Sequence, residues 1–333
     1  MQKVAKIVWT GLLTIGLLAC NNVKKSSTKV SSEVPKNWAE KLGFPKGRKV
    51  IMLHADDVGM CEEANIATEY YLKNDYIQSA AIMVPCPNAD YFIEWAIANP
   101  KKDVGLHLTL TSEWRDHRWS TIADSMEVPG LIDQDGMMWH HVPDVVEHAS
   151  ADEVEKEIRA QIDKSLKMGL QPSHIDTHMG TLYGDKEYIK RFYKVAQEYG
   201  IPANVIDLSD PLVVEGFREE GYPMDDEIVA LTASYTLPKL DGFTSAPNGE
   251  SYDDKIIKFK ELIKSLEPGL TEIIFHPSVA SEKLKTIAYS WQQRIWEAKM
   301  FADKDLIEFL EEEEIIFTNW TDIMERFNIM ESK

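Results

Sequence analysis

Cysteine is scarce, with only Cys20, Cys61 and Cys86 in 333 residues. That number excludes a disulfide-framed scaffold and a zinc site built from four thiolates. Basic residues are also in deficit, 36 Lys and Arg against 55 Asp and Glu, for a formal net charge of −19. So acidic a chain rules against nucleic acid as a partner, because phosphate recognition needs clustered Lys and Arg to replace counterions. It equally disfavours docking on anionic lipid through a basic patch. Internal repeats are absent, and the one prominent apolar run, residues 7–19, is too short to span a bilayer comfortably. What is present, 44% hydrophobic and 27% charged residues, is the composition of a globular chain. The length allows one large domain or two ordinary ones.

Lys3 and Lys6 precede the apolar run, which has the length of the hydrophobic segment of a secretory signal. It ends in Leu17, Leu18, Ala19 and Cys20, a string that resembles the lipobox of bacterial lipoproteins. The resemblance implies cleavage before Cys20, lipidation of that cysteine and an exported, membrane-anchored protein. The alternative is an ordinary signal peptide with an incidental cysteine. Residues 20–37 are polar, rich in Ser and Lys, and read as a flexible tether. The folded part is expected over residues 38–333 as a single domain.

From residue 49 onward, short apolar runs alternate with helical stretches. Strands are expected over 49–55, 77–84, 103–111, 173–178, 202–208, 272–276 and 314–318. Residues 151–167 show clean helical spacing, with Val154, Ile158, Ile162 and Leu166 at steps of four. A loop rich in Trp and His covers roughly 112–149, and residues 209–250 read as an irregular insertion. The alternation argues for a parallel α/β fold, either a barrel or a doubly wound sheet.

Ionisable residues recur at the ends of these strands: His54, Asp56 and Asp57 on the first, His107 on the third, His174, Asp176 and His178 on the fourth, and His276 at 272–276. In parallel α/β folds the C-terminal strand ends converge on one face, where active sites form. Period-two alternation puts His107 opposite Val104, Leu106 and Leu108, and gives His174, Asp176 and His178 a common face. Burying three ionisable groups unpaired would cost several kcal/mol each, so a purely structural strand is a poor account of them. Two histidines and a carboxylate are the ligand set of a catalytic divalent metal, and a neighbouring carboxylate can act as base.

The motifs HADDVGM (54–60), DYIQSAAIMVPCPNADYF (75–92), GLHLTLTSEW (105–114), PSHIDTHMGTLY (172–183) and FHPS (275–278) resemble those of the YdjC-like (ChbG-type) carbohydrate deacetylases, relatives of the polysaccharide deacetylases. The resemblance runs from about residue 50 to 327. It implies a distorted (β/α) barrel that removes N-acetyl groups from amino sugars or oligosaccharides with one divalent ion, magnesium or zinc. By motif, Asp57, His107 and His178 are the metal ligands, Asp56 the general base and His276 the general acid. Asp176 and His174 stand behind the ligands. This chain departs from the family in having His54 where Asn is frequent, and Met179, Gly180 and Thr181 where further histidines are usual. An intracellular chitobiose-type substrate is therefore not carried over.

His54, Trp114, Trp119, Trp139 and Arg294 are candidates for substrate binding. The tryptophans are either sugar-stacking platforms or a small core under the long loop, and Arg294 either pairs with Asp56 or is solvated. Cys61 and Cys86 are expected as unpaired thiols, a bridge being the alternative. Two other functions stay open: a metal-dependent hydrolase of another amide or ester, and a catalytically silent glycan-binding lipoprotein.

Overall fold

The computed structural model describes residues 35–332. The signal segment, Cys20 and the tether up to residue 34 lie outside the described residues. Asn37 caps a short helix, Trp38–Lys41, by accepting from the Glu40 N–H.

Seven strands form one sheet: β1 Lys49–Val58, β2 Ser79–Ile82, β3 Asp103–Leu108, β4 Ile175–Thr177, β5 Gly242–Ser245, β6 Gly269–Phe275 and β7 Ile316–Phe317. Their order is β4-β3-β2-β1-β6-β5, with β7 joined to Val50 and Ile51 of β1, and every pairing is parallel. The ring closes between β4 and β5 through two single-residue bridges, Ile175 with Ala203 and Ile206 with Leu240. The architecture is a distorted (β/α) barrel with helices packed outside. Strand residues alternate accordingly. Ile51, Leu53 and Ala55 join the main core under the helices, whereas Val50 and Met52 pack with Leu240, Leu270 and Trp320. From mid-height upward the inward series turns polar, with His54 and Asp56 on β1, Gly105 and His107 on β3, and Glu272 on β6. Apolar packing thus plugs one end of the barrel and ionisable groups fill the other.

The helix Ala151–Met168 starts in a capping box between Ser150 and Glu153 and ends at Gly169, whose φ of 104° needs no Cβ. It buries Val154, Ile158 and Ile162 against the main core. The insertion at 209–250 is more regular than its sequence suggests: it holds helices Pro211–Glu219 and Asp226–Ser234 and then β5. Both helices have nine residues, too few for a long periodic stripe, and both are started by an Asp side chain, Asp210 or Asp225, accepting first-turn N–H groups. The short helices Trp291–Met300 and Lys304–Glu312 follow β6, with Asp303 capping the second.

Candidate metal centre and cleft

The turn that ends β1 decides where its two carboxylates point. Successive strand residues face opposite ways, so Asp56 and Asp57 share a site only if the backbone bends between them. It bends at Asp57 itself, whose φ is 59°, inside an irregularity of the β1–β2 ladder between Ala55 and Val58. Aspartate is one of the few non-glycine residues that enter this region readily. Gly59 follows at φ 88°, and a Cβ there would lie 2.9 Å from the Ala89 backbone. The bend therefore starts two residues before that glycine.

Asp57 Oδ1 stands 3.3 Å from His178 Nδ1 and 3.6 Å from His107 Nε2. All three residues are buried, and this oxygen has no hydrogen-bond partner. The outer nitrogen of each imidazole meets an acid: His107 Nδ1 lies 2.6 Å from Asp176 Oδ1 and His178 Nε2 lies 3.0 Å from Glu113 Oε2. With a proton held there, the nitrogens of each ring open to a cation are His107 Nε2 and His178 Nδ1, both turned toward Asp57 Oδ1. Carboxylate-held histidines converging with an orphaned carboxylate oxygen fit a divalent cation. The three donors lie within 4.8 Å of one another. The other Asp57 oxygen accepts from Arg294 Nη2 at 2.6 Å. Arg294 is buried and lies over the Trp114 ring, 5.5 Å from its centroid.

The electrostatics follow from this packing. Burial opposes charge on Asp57, but Arg294 and the neighbouring histidines outweigh it and hold the carboxyl well below its usual range. Burial lowers His178, yet Glu113 and Asp57 push it up to about 10. These groups want positive charge among them, as a proton or as a cation. Deeper in the barrel, burial and the adjoining His54 bring His174 down to about 4, and burial raises Glu272 to about 8.

Asp56 lies beside this triad. Its Oδ1 is 3.1 Å from His54 Nε2 and its Oδ2 is 4.0 Å from His276 Nε2. The His276 side chain is 35% exposed, and its backbone N–H donates to Glu297 Oε2 at 2.8 Å. Glu297 also takes a 2.8 Å ion pair from the fully buried Lys255. The helix Trp291–Met300 therefore steadies both sides of the site, Asp57 through Arg294 and His276 through Glu297.

A cleft of about 830 Å³ opens over Asp56, Asp57, His107, His178 and His276. One wall is apolar and comes largely from the insertion: Ile206, Leu208, Val213, Phe217, Tyr222 and Met224. Of the candidate substrate contacts, Trp114 and Arg294 line the cleft and the others do not. Trp119 is buried in a satellite core with Met60, Met83 and Met138, its indole donating to the Thr111 carbonyl. Trp139 donates to the Gly130 carbonyl and stacks on His148 at 4.2 Å. His54 and His174 are fully buried beneath Asp56 and Asp176. Arg294 grips Asp57 rather than Asp56 or solvent. Cys61 and Cys86 are both free and buried.

Glu113, Glu272 and Glu297 are functional neighbours that the sequence reading did not single out. Glu272 carried a usable signal, since it shares the period-two face of His276 in residues 272–276. Glu297 stands one helical turn from Arg294. Glu113 follows an irregular strand end and has no comparable pattern.

Comparison with known proteins agrees with this architecture. A carbohydrate deacetylase from Thermoanaerobacter pseudethanolicus is 26% identical over 275 residues, covering 82% of this chain and 98% of that protein. One from Thermus thermophilus is 27% identical over 265 residues, covering 79% and 89%. A crystal structure from Enterococcus faecalis, of a protein named for cellobiose-phosphate cleavage, superposes with a TM-score of 0.67 at 22% identity over 83% of this chain and 99% of its own. The model of the YdjC-like proteins matches residues 50–312, from β1 through the helix after Asp303, and by that match the chain belongs to the YdjC-like protein family.

Proposed function

We propose that this chain is an exported, metal-dependent carbohydrate deacetylase that hydrolyses N-acetyl groups of amino sugars or oligosaccharides. The observation that carries the proposal is the convergence of Asp57 Oδ1, His107 Nε2 and His178 Nδ1, with Asp56 and His276 beside them at the floor of one cleft. The names borne by the relatives supply the substrate class. A divalent ion held by these three residues supplies a Lewis acid for the acetamide carbonyl and acidifies a water molecule.

The chain's own groups do the rest. Asp57 is kept ionised by Arg294, and because Asp176 and Glu113 hold the outer ring protons, the inner nitrogens of the two histidines are the ones that would exchange a proton for the cation. Asp56 Oδ2 faces the cleft and takes the proton of the attacking water. His276 gives a proton to the departing amine, since an amide anion is too poor a leaving group; its partial exposure lets it be reprotonated from solvent. Trp114, buried in the satellite core with Arg294 over its ring, borders the cleft where the sugar would lie.

An acetate-release screen over chitooligosaccharides, other N-acetylated glycans and acetyl esters, with and without chelator, tests the reaction. Release from N-acetyl sugars that chelator abolishes is expected. Activity on esters alone, or binding without turnover, points to one of the other two functions. His107→Ala and His178→Ala are expected to lose metal and activity while staying folded, and full metal occupancy in either variant removes the ligand assignment. For export, Cys20→Ser is expected to shift the protein from the detergent phase to the aqueous phase or to stall processing. Identical partitioning of both forms discards the anchor.

A further inference from the structure

Below the Asp57 triad the barrel interior holds a second set of donors that the proposed reaction leaves unused. Ser173 settles the protonation of His174. The Ser173 hydroxyl has one proton and donates it to Asp103 Oδ1 at 3.1 Å, so toward His174 Nδ1, 2.9 Å away, its oxygen accepts. Nδ1 therefore carries hydrogen and Nε2 presents a lone pair. That lone pair is buried without a hydrogen-bond partner and faces Asp176 Oδ2 at 3.8 Å.

His54 stands beside His174, the two rings edge-on with centroids 4.9 Å apart. The Nδ1 of His54 faces Glu272 Oε1 at 3.5 Å, while Nε2 lies 3.1 Å from both Asp176 Oδ2 and Asp56 Oδ1. Both His54 nitrogens and Asp56 Oδ1 also have no hydrogen-bond partner. Lone pairs aimed at carboxylate oxygens in a dry interior repel unless positive charge sits between them. A proton on His54 would relieve its own contacts but would leave His174 Nε2 confronting Asp176. The charge around the cluster argues the same way: Asp56, Asp57 and Asp176 are all buried, with Arg294 as the permanent cation beside them.

We propose that His54 Nε2, His174 Nε2, Asp176 Oδ2 and Asp56 Oδ1 form a second, closed divalent-cation site beneath the first. The donors of His54, His174 and Asp176 lie within 4.8 Å of one another. Neighbouring ligand atoms of a tetrahedral zinc ion with bonds of about 2.0–2.2 Å stand roughly 3.3–3.6 Å apart, close to the separations here. Two histidines, one with its outer nitrogen on a fixed hydroxyl and the other with its outer nitrogen facing Glu272, joined by two carboxylates, make a zinc-type set with no position facing the cleft. Such a site is structural and fills as the chain folds. Gly105 makes room for it, since a Cβ there would fall 2.3 Å from the His174 ring. Asp176 links the two levels, with Oδ1 on His107 and Oδ2 on the lower cation. Asp56 is held with Oδ2 turned to the cleft.

Zinc titration of the chelator-stripped full chain, read by native mass spectrometry, tests this. Wild type is expected to saturate at about two equivalents, His54→Asn and His174→Gln at about one, and His107→Ala at about one through the lower site. Saturation of wild type at one equivalent, with none left in His107→Ala, overturns the proposal. The comparison of wild type with His107→Ala decides the matter even where the deeper variants fold poorly. Acetate release is a separate readout, so a lost reaction with two equivalents bound leaves the second site standing.

Discussion

At the scale of single residues, Asp57 has two tasks that substitution can separate. Its left-handed backbone suits Asn as well as Asp, so Asp57→Asn keeps the turn while weakening the ligand, because an amide oxygen binds a cation less well than a carboxylate does. It also leaves Arg294 buried without its partner charge. Asp57→Asn is therefore expected to bind metal more weakly, with partial rescue by excess metal. Asp56→Asn is expected to keep the cleft cation and lose about 10²–10⁴-fold in rate, the usual worth of a positioned acid–base group. Metal stoichiometry and acetate release, measured on both variants side by side, check this pair; an empty cleft site in Asp56→Asn with a full one in Asp57→Asn reverses the two roles. Much of this cluster was legible in the sequence because period two puts His107, His174, Asp176 and His178 on inward faces. The Asp57 bend was only half legible: glycine marked a turn nearby, but nothing in the sequence placed it on the aspartate. The partners of Arg294 and His178 were not legible, since Asp57 and Glu113 reach them across 237 and 65 residues.

Among the elements, the helix Ala151–Met168 does more than cover the barrel. Its buried Glu157 accepts the backbone N–H groups of Ile122 and Ala123 and so ties down the loop that carries Trp114 and Trp119. Burial raises this carboxyl to about 7, above its ordinary value near 4.5. A carboxyl raised on folding favours the folded state below its unfolded pKa, and that contribution is lost as pH climbs to the folded value. Between about pH 4.5 and 7, Glu157 therefore makes the unfolding free energy fall with rising pH, by roughly 3 kcal/mol at most. Denaturant unfolding across this range should show a smaller fall in Glu157→Gln, and parallel curves for the two proteins discount the effect. Helical spacing made this element easy to read. It did not reveal Glu157, because a charged residue beside an apolar stripe reads as solvated until the loop over it is known. The two nine-residue helices of the insertion escaped for the opposite reason, their start signals being clear only beside an element already located.

For the whole molecule, the α/β alternation and the placing of polar residues at strand ends were enough to reach a parallel α/β fold, the family resemblance pointed to the barrel, and the residues the structure describes form one. How the ring closes was only half legible: residues 202–208 read as strand-like, yet they make single bridges rather than a ladder, and nothing marked Leu240 as their partner. The same closure gives the barrel a seam. Elsewhere neighbouring strands share continuous ladders, such as the seven residue pairs that join β1 to β6. Along the seam the bonds are few: Ile175 to Pro202, Asn204 to Ile175, Leu240 to Val205 and Asp207 to Leu240. Amide hydrogen exchange should find it, with Asn204, Asp207 and Leu240 trading their protons well before Leu53 or Ile273, and uniform protection around the ring would show that the seam is as firm as the ladders. Ile206 and Leu208 lie on that seam and also wall the cleft. The bore of the pocket is therefore set where the hoop is least tightly laced, and a bulkier guest can be seated by easing one stitch while the staves that carry Asp57, His107 and His178 stay in place.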